Sequence, residues 1–497
     1  MDWTRNAGTD SPRDGTSQAS PGRGPHQGEL ALWAVAAAVA ALLPAIWLWE
    51  FTVDDALIAV RYARHLASGV GYRFNVDGPA TDGVTPLPWP FLLSPLARGT
   101  PLEVLDRAKL LGLIAWTAVA AAWGAWVGRA EAPRWVKAVA IGVLGLSVPV
   151  AAHAVSGMET AVALALCTVA STLGARPLAA AALAGAATSF RPELTPWALA
   201  LGLGFVWAAP DRPVPRRLAW AGLLAVGPFL LVTLVRWLAF GHAAPLALSA
   251  KPSDVTHGAV YVAAGSVAAL GPIVAFAPLA MLRASRCARV LAGAGFVHLA
   301  VVALVGGDWM PYARLLAPVV PSLLGAFVLS SAHARSVATA LRASAAIATG
   351  IFFMFVRAPG ARHVGADRRA LVAEASPWLT NITRVAVLDV GWTSAASEAH
   401  VIDLAGLTDP EVAAMPGGHT SKRIDAAWLL GARPDVVLFY VSRGAPLATW
   451  QDAEFTRVVE ARLASSELFL AHFVARAFLP LGSTGAGYFV LQPGSER

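Results

Sequence analysis

Two adjacent carboxylates, Asp54 and Asp55, follow the first long apolar stretch of this 497-residue chain. Acids side by side at the rim of hydrocarbon repel one another and resist desolvation, and ionisable groups at such depth are as a rule functional. A carboxylate whose pKa is raised there can take a proton from a hydroxyl. A plainer reading fits the same residues: Asp54 N-caps the helix that starts here and Asp55 favours its dipole. Short polar segments farther along hold further charge: Ser156-Gly157-Met158-Glu159-Thr160, Ser189-Phe190-Arg191-Pro192-Glu193, the stretch before Lys251, and Gly306-Gly307-Asp308-Trp309-Met310-Pro311-Tyr312-Ala313-Arg314. Arg191, Lys251 and Arg314 are costly beside hydrocarbon unless an anion meets them. Their structural alternatives are a salt bridge from Arg191 to Glu193 or Glu159, a snorkelling Lys251 and a helix-end anchor at Arg314.

The elements that carry these residues follow from composition. Apolar residues make up 56% of the chain, charged residues only 14%, and mean hydropathy is +0.58. Soluble domains carry roughly 25% charged residues, so a polytopic membrane protein is expected. The net charge of +7 sits in Arg clusters between apolar runs. Such clusters orient helices against the cytoplasmic leaflet, so the basicity is topological and no nucleic-acid partner is implied. Cys167 and Cys287 fall in or beside apolar spans and build no disulfide framework.

Residues 1–29 read as a polar tail without apolar periodicity. Leu30–Trp49 has the length of a spanning helix, about 20 residues; a cleavable signal peptide would need a shorter apolar core and leader. Further spans are drawn at 106–128, 136–155, 158–174, 176–190, 194–209, 218–240, 258–282, 289–305, 314–332 and 337–356, about eleven in all. With the N-terminus inside, Arg129/Arg134/Lys137, Arg176, Arg212/Arg216/Arg217, Arg283/Arg286/Arg289 and Arg335/Arg342 all fall on the cytoplasmic side. The Pro-rich segment Pro86–Leu96 is too brief to cross, and counting it as a span would invert that bias; it is expected to be a half-helix on the outer surface. The loops with the acids then share the extracytoplasmic face, and an odd number of spans exports the C-terminus. The expected architecture is a membrane domain over 30–357, whose outer loop 50–105 carries amphipathic helices, followed by an extracytoplasmic α/β domain over 358–497. Strands are predicted at 385–388, 400–404, 436–440 and 487–491, with helices near 422–431 and 452–466. A helix from Asp55 to Ser68 places Arg61, Arg64, His65 and Ser68 on one face, which suits the membrane interface.

The run Asp54-Asp55-Ala56-Leu57-Ile58, with Arg61-Tyr62-Ala63, Gly69-Val70-Gly71, Phe74-Asn75, Asp82-Gly83-Val84-Thr85-Pro86 and Trp89, resembles the first outer loop of GT-C superfamily glycosyltransferases. It is most similar to the cell-wall terminal arabinofuranosyltransferases and their bacterial relatives. Later blocks keep the family order: the Glu159, Arg191 and Asp308 segments, Lys251 after an extended loop, and Val401-Ile402-Asp403-Leu404-Ala405-Gly406-Leu407-Thr408-Asp409 in the exported domain. The chain departs from the family at Pro245-Leu246-Ala247, where a Pro-Asn-Thr run is common, and at Thr85-Pro86-Leu87-Pro88-Trp89.

This resemblance implies an inner-membrane enzyme that moves a sugar, such as arabinofuranose, from a polyprenyl-phosphate donor to a cell-envelope glycan or lipid-linked acceptor on the outer face. Asp54 is expected to be the base, with Asp55 as orienter or alternate, and a retaining course would make the same carboxylate the nucleophile. Arg191, Lys251 and Arg314 are expected to hold the donor phosphate as charge develops. Glu159, Glu193, Asp308, Trp309, Trp89 and Arg61 are expected to line the substrate cavity, and a divalent cation between Asp54, Asp55 and Asp308 is chemically compatible with hard-ligand preferences. His65 is expected to be solvated, and Asp403 and Asp409 either bind glycan or cap structure. A lipid-linked sugar transporter or flippase is the alternative; it would be expected to place charge near mid-membrane and to show related halves.

Overall fold

The computed structural model describes residues 27–209, 214–250, 254–273, 284–331 and 337–494. Lys251, Arg212, Arg283, Arg335, most of the 1–29 tail and residues 274–282 of the 258–282 span lie outside the described residues. The chain is mostly helical with a small C-terminal sheet. The helices are α1 (Gln27–Trp47), α2 (Asp54–Ala67), α3 (Pro88–Leu93), α4 (Pro101–Arg129), α5 (Arg134–Leu146), α6 (Val148–Ala154), α7 (Thr160–Thr172), α8 (Pro177–Thr188) and α9 (Thr195–Ala208). They continue as α10 (Pro215–Phe240), α11 (Leu246–Ala250), α12 (Val255–Leu270), α13 (Arg286–Leu304), α14 (Val320–Ser330) and α15 (Val337–Phe352).

Among the described residues, α1, α4, α10, α13 and the run Val337–Arg357 are each long and apolar enough to cross a bilayer; α5 and α6, bent by 55° at their junction, add a sixth if taken as one span. Their large apolar side chains point outward. Leu223, Leu230, Leu231 and Leu238 of α10 and Leu32, Val35 and Leu43 of α1 are all exposed, a surface that water would not tolerate at this extent and that lipid covers. The chain is a membrane-embedded protein. Local chemistry sets the helix limits. Thr100 caps α4 through a reciprocal box with Glu103: the Glu103 N–H donates to Oγ1 at 3.3 Å and the Thr100 N–H to Oε2 at 3.1 Å. Pro149, in the first turn of α6, cannot donate backward and so accompanies the break at Ser147. α1 lies against α4 along Gly124 and Gly128, a small-xxx-small stripe. A Cβ at Gly124 would stand 2.4 Å from the Trp33 carbonyl oxygen, so only glycine permits this approach.

Beyond Arg357, α16 (Val364–Leu379) leads into the C-terminal domain. Its sheet has the order β2-β1-β3-β5-β4, from β1 (Arg384–Val387), β2 (His400–Asp403), β3 (Val436–Val441), β4 (Phe473–Pro480) and β5 (Gly487–Pro493). The first three strands run parallel and the last two antiparallel. Val385–Val387 and Val436–Phe439 are buried throughout, as central strands covered on both faces require. α17 (Val390–Ala396), α18 (Pro410–Ala414), α19 (Ala426–Gly431), α20 (Val458–Ala464) and α21 (Glu467–His472) complete the domain. The four expected strands are present; β4, an edge strand with a mixed burial pattern, had no clear alternation to announce it.

α2 corrects an expectation. It is buried on nearly every side, from Ala56 to Ala63 and again at His65, and does not lie at the membrane interface. On its polar face Arg61 and Arg64 meet the C-terminal domain at residues 397–399. Arg61 is 2% exposed, and its three guanidinium nitrogens donate to the carbonyls of Phe74 (2.7 Å), Ser397 (3.1 Å) and Ala399 (3.0 Å). A planar fork spent on three main-chain acceptors is a clamp between domains, not a substrate ligand. His65 is likewise buried, its Nδ1 held 2.8 Å from the Arg73 carbonyl, and is not solvated. Trp89 is 0% exposed inside the core and presents no face to a sugar. The outer loop is fixed to α10 by the buried pair Asp82–Arg236 at 2.7 Å, with Arg236 also bonded to the Thr85 carbonyl.

Candidate functional site at the ends of the helices

The loops that precede or follow α2, α7, α8 and α13 bring the charged residues together. Glu159 stands at the start of α7, where Gly157, at φ +82°, turns the chain. Arg191 and Glu193 flank Pro192 just after α8. Arg314 closes a loop that leaves α13 through Gly306 and Gly307, both at positive φ. Arg191 Nη1 lies 3.2 Å from Glu159 Oε1, and its Nε lies 3.0 Å from Glu193 Oε1. Both salt-bridge partners weighed from sequence therefore exist. Arg314 places Nε and Nη2 at 2.8 and 2.7 Å from the same oxygen, Asp308 Oδ2. These groups are almost wholly dry: Glu159 is 0% exposed, Arg191 2% and Arg314 8%.

Burial raises the Glu159 carboxyl above the ordinary range, with Arg191 and Arg314 opposing. Burial alone would lower Arg314, but Asp308, Glu159 and Asp55 outweigh it and hold the guanidinium firmly charged. Neither oxygen of Glu159 has a hydrogen-bond donor among the described residues, and neither does Nη2 of Arg191 have an acceptor. Buried polar atoms left open in this way are costly, and a polar ligand relieves the cost. What the arrangement offers is two fixed guanidiniums for an anion beside carboxylates for a hydroxyl.

The acidic pair divides its work. Asp54 accepts the main-chain N–H of Gly391 at 2.8 Å on Oδ2 and that of Trp392 at 2.9 Å on Oδ1, with Arg368 3.7 Å away. Burial, with Asp389 adding to it, pushes Asp54 up to about 6 against the pull of Arg368 and the two N–H groups. Both oxygens thus serve the contact with α17. Asp55 has no hydrogen bond or ion pair among the described residues and is one of the three acids whose field Arg314 feels. Of the two acids, Asp55 is the one without a protein partner among the described residues, and its charge acts on Arg314.

α17 can approach Asp54 only because residue 391 is glycine: a Cβ there would sit 2.0 Å from the Asp54 carbonyl oxygen. Gly391→Ala is expected to lift the C-terminal domain from α2 at a cost of about 1–3 kcal/mol. Limited proteolysis in detergent checks this, by faster cleavage near residue 358 than in the native chain.

Asp403 and Asp409 resolve as structural caps. Asp403 accepts the N–H groups of Ala405, Gly406 and Thr408 and the Thr408 hydroxyl, and Asp409 caps α18. Behind α17 lies a second charged group, in which Asp389 takes bonds from Arg457 (2.7 Å) and the Tyr488 hydroxyl. Glu460, 0% exposed, accepts the Tyr440 N–H at 3.0 Å; burial pushes it up to about 8, only partly offset by Arg457. Exposed in the unfolded chain it would ionise near 4.5, so between those values the folded chain keeps a proton the unfolded chain has lost, and stability falls as pH rises from 4.5 to 8. Glu460→Gln is neutral throughout and is expected to melt above the wild type at pH 8, with the gap shrinking toward pH 5. Equal melting curves at both pH values would contradict it.

Among the described residues no three His, Cys, Asp or Glu side chains are grouped to hold a metal ion. Trp309 is 63% exposed and stacks on His257, with ring centroids 4.6 Å apart. Neither His257 nor Tyr261, whose hydroxyl accepts the Leu315 N–H at 3.1 Å, stood out in the sequence; a lone aromatic in an apolar span gives no local signal of its partner. Residues 364–485, the C-terminal domain, match a family described as a domain of unknown function, DUF8728. No curated protein and no solved structure matches the chain.

Proposed function

We propose that the chain is a multi-pass glycosyltransferase of GT-C architecture, with about eleven spans, that moves a sugar from a polyprenyl-phosphate donor to an envelope glycan or lipid-linked acceptor. On this reading the site faces the outside of a bacterial inner membrane and arabinofuranose is the first sugar to test. The observation that carries it is the convergence of two buried guanidiniums, Arg191 and Arg314, with an unpaired carboxylate, Asp55, at the ends of apolar helices. In the reaction the bond from the anomeric carbon to the phosphate oxygen breaks and a bond from that carbon to the acceptor oxygen forms. The acceptor proton passes to a carboxylate, and negative charge grows on the departing lipid phosphate. Arg191, whose Nη2 is open, and Arg314 meet that charge in a site with little water to screen it; Lys251 is a third candidate from the sequence. Asp55 takes the role of base, which the sequence had given first to Asp54, because the Asp54 oxygens are occupied by α17.

The test is incubation of the purified full chain with a panel of polyprenyl-phosphate sugars and oligosaccharide acceptors, read by mass spectrometry. Acceptor extended by one sugar, with release of polyprenyl phosphate, supports the reading. Movement of intact lipid-linked sugar across vesicles, with no bond broken for any donor, would replace it by transport.

A further inference from the structure

We propose that Trp309, backed by His257 and flanked by His419, is the platform on which a neutral acceptor sugar lies. This rests on the glycosyl-transfer reading for its purpose, but the surface stands on its own geometry. Trp309 follows Asp308, the partner of Arg314, directly in the chain. It is 63% exposed, yet it is held: the His257 ring lies nearly parallel, 16° off, at 4.6 Å. His257 is fixed in turn, with Nδ1 2.7 Å from the Gly306 carbonyl oxygen. A carbonyl can only accept, so Nδ1 carries the hydrogen, and in the tautomer that this bond selects Nε2 is the acceptor.

A rigid indole beside an imidazole acceptor suits a ring with an apolar C–H face and hydroxyl edges, which is a sugar. Orientation fixed before binding lowers the entropy lost when the ligand docks. Interfacial tryptophans that anchor a span turn their rings to headgroups. Trp309 has instead a side chain of the C-terminal domain at its flank, His419, with centroids 6.3 Å apart. The platform therefore lies between the membrane domain and the C-terminal domain, where an acceptor would enter.

The experiment is saturation-transfer NMR on the detergent-solubilised full chain, with an arabinofuranose oligosaccharide as the probe and no donor present, repeated with a glucose oligosaccharide. Trp309→Ala is expected to weaken binding by about 10-fold or more, equivalent to about 1.4 kcal/mol, and Trp309→Phe, which keeps a ring, by much less. In turnover assays the alanine variant should raise the acceptor KM. A wild type that binds neither oligosaccharide, or an alanine variant that is folded and binds as the wild type does, overturns the platform. Should transfer proceed with an unaltered acceptor KM in Trp309→Ala, the platform fails and the glycosyltransferase stands. Should no donor be used while Trp309→Ala still loses oligosaccharide, the platform stands and the transferase reading fails.

Discussion

Asp55→Asn is expected to slow sugar transfer by about 10²–10⁴-fold, the usual contribution of a positioned general base, while donor binding stays within a few-fold of wild type. The asparagine is nearly the same size and cannot take a proton, so the loss reports proton transfer and not packing. The assignment separates neighbours that sequence treats alike. Asp54→Asn keeps one carbonyl oxygen for an α17 N–H but turns an N–H group toward the other donor, where Asp54 now accepts from both Gly391 and Trp392. Its expected signature is a loosened C-terminal domain, seen in proteolysis, with a rate loss that follows from that loosening. Initial rates of transfer by mass spectrometry, beside digestion patterns for the same preparations, tell the two apart. A folded, docked Asp54→Asn chain with no activity, beside a fully active Asp55→Asn chain, would return the role of base to Asp54.

Much of the frame was legible because lipid imposes a simple rule. Backbone groups in hydrocarbon must bond within their own segment, so apolar runs announce helices, and helices occur in each run that hydropathy marked among the described residues. Strands β1, β2, β3 and β5 were legible for a related reason: short β-branched runs bounded by turn residues have few other uses. The charged loops singled out in the sequence do hold ion pairs, Arg191 with Glu159 and Glu193 and Arg314 with Asp308. What sequence did not carry was the identity of long-range partners. The face of α2 that bears Arg61 and His65 has the periodicity of an interfacial helix, and periodicity cannot say whether water, headgroups or another domain covers it. Arg61 spends its charge on carbonyls more than 300 residues away. Asp54 likewise meets two backbone N–H groups, which have no sequence signature at all. Tryptophan gave the same lesson in reverse: Trp89 and Trp309 were equal candidates, and only packing made one of them core and the other surface.

Arg191→Ala is expected to abolish measurable transfer and to destabilise the chain, and the two losses have different origins. The guanidinium lies between Glu159 and Glu193, and its buried Nη2 has no acceptor among the described residues. On the proposed reading, deleting it removes a donor to the phosphate, worth about 10²–10³-fold in rate. It also strands buried carboxylates, and breaking a buried pair from one side costs about 3–5 kcal/mol. Glu159 already holds its proton more tightly than an ordinary carboxyl, so part of that cost is relieved by protonation, and the variant should be less destabilised at pH 5 than at pH 8. The double variant Arg191→Ala with Glu159→Gln removes the stranded charge outright. Its melting temperature should recover toward wild type, measured by heating in detergent, while transfer stays lost. Recovery of both stability and transfer would reduce Arg191 to a counter-ion for Glu159, and the phosphate would then have to be held by other cations. Stability without transfer in the double variant means that the arginine is kept for what it binds, since its structural debt can be discharged by a single neutral side chain.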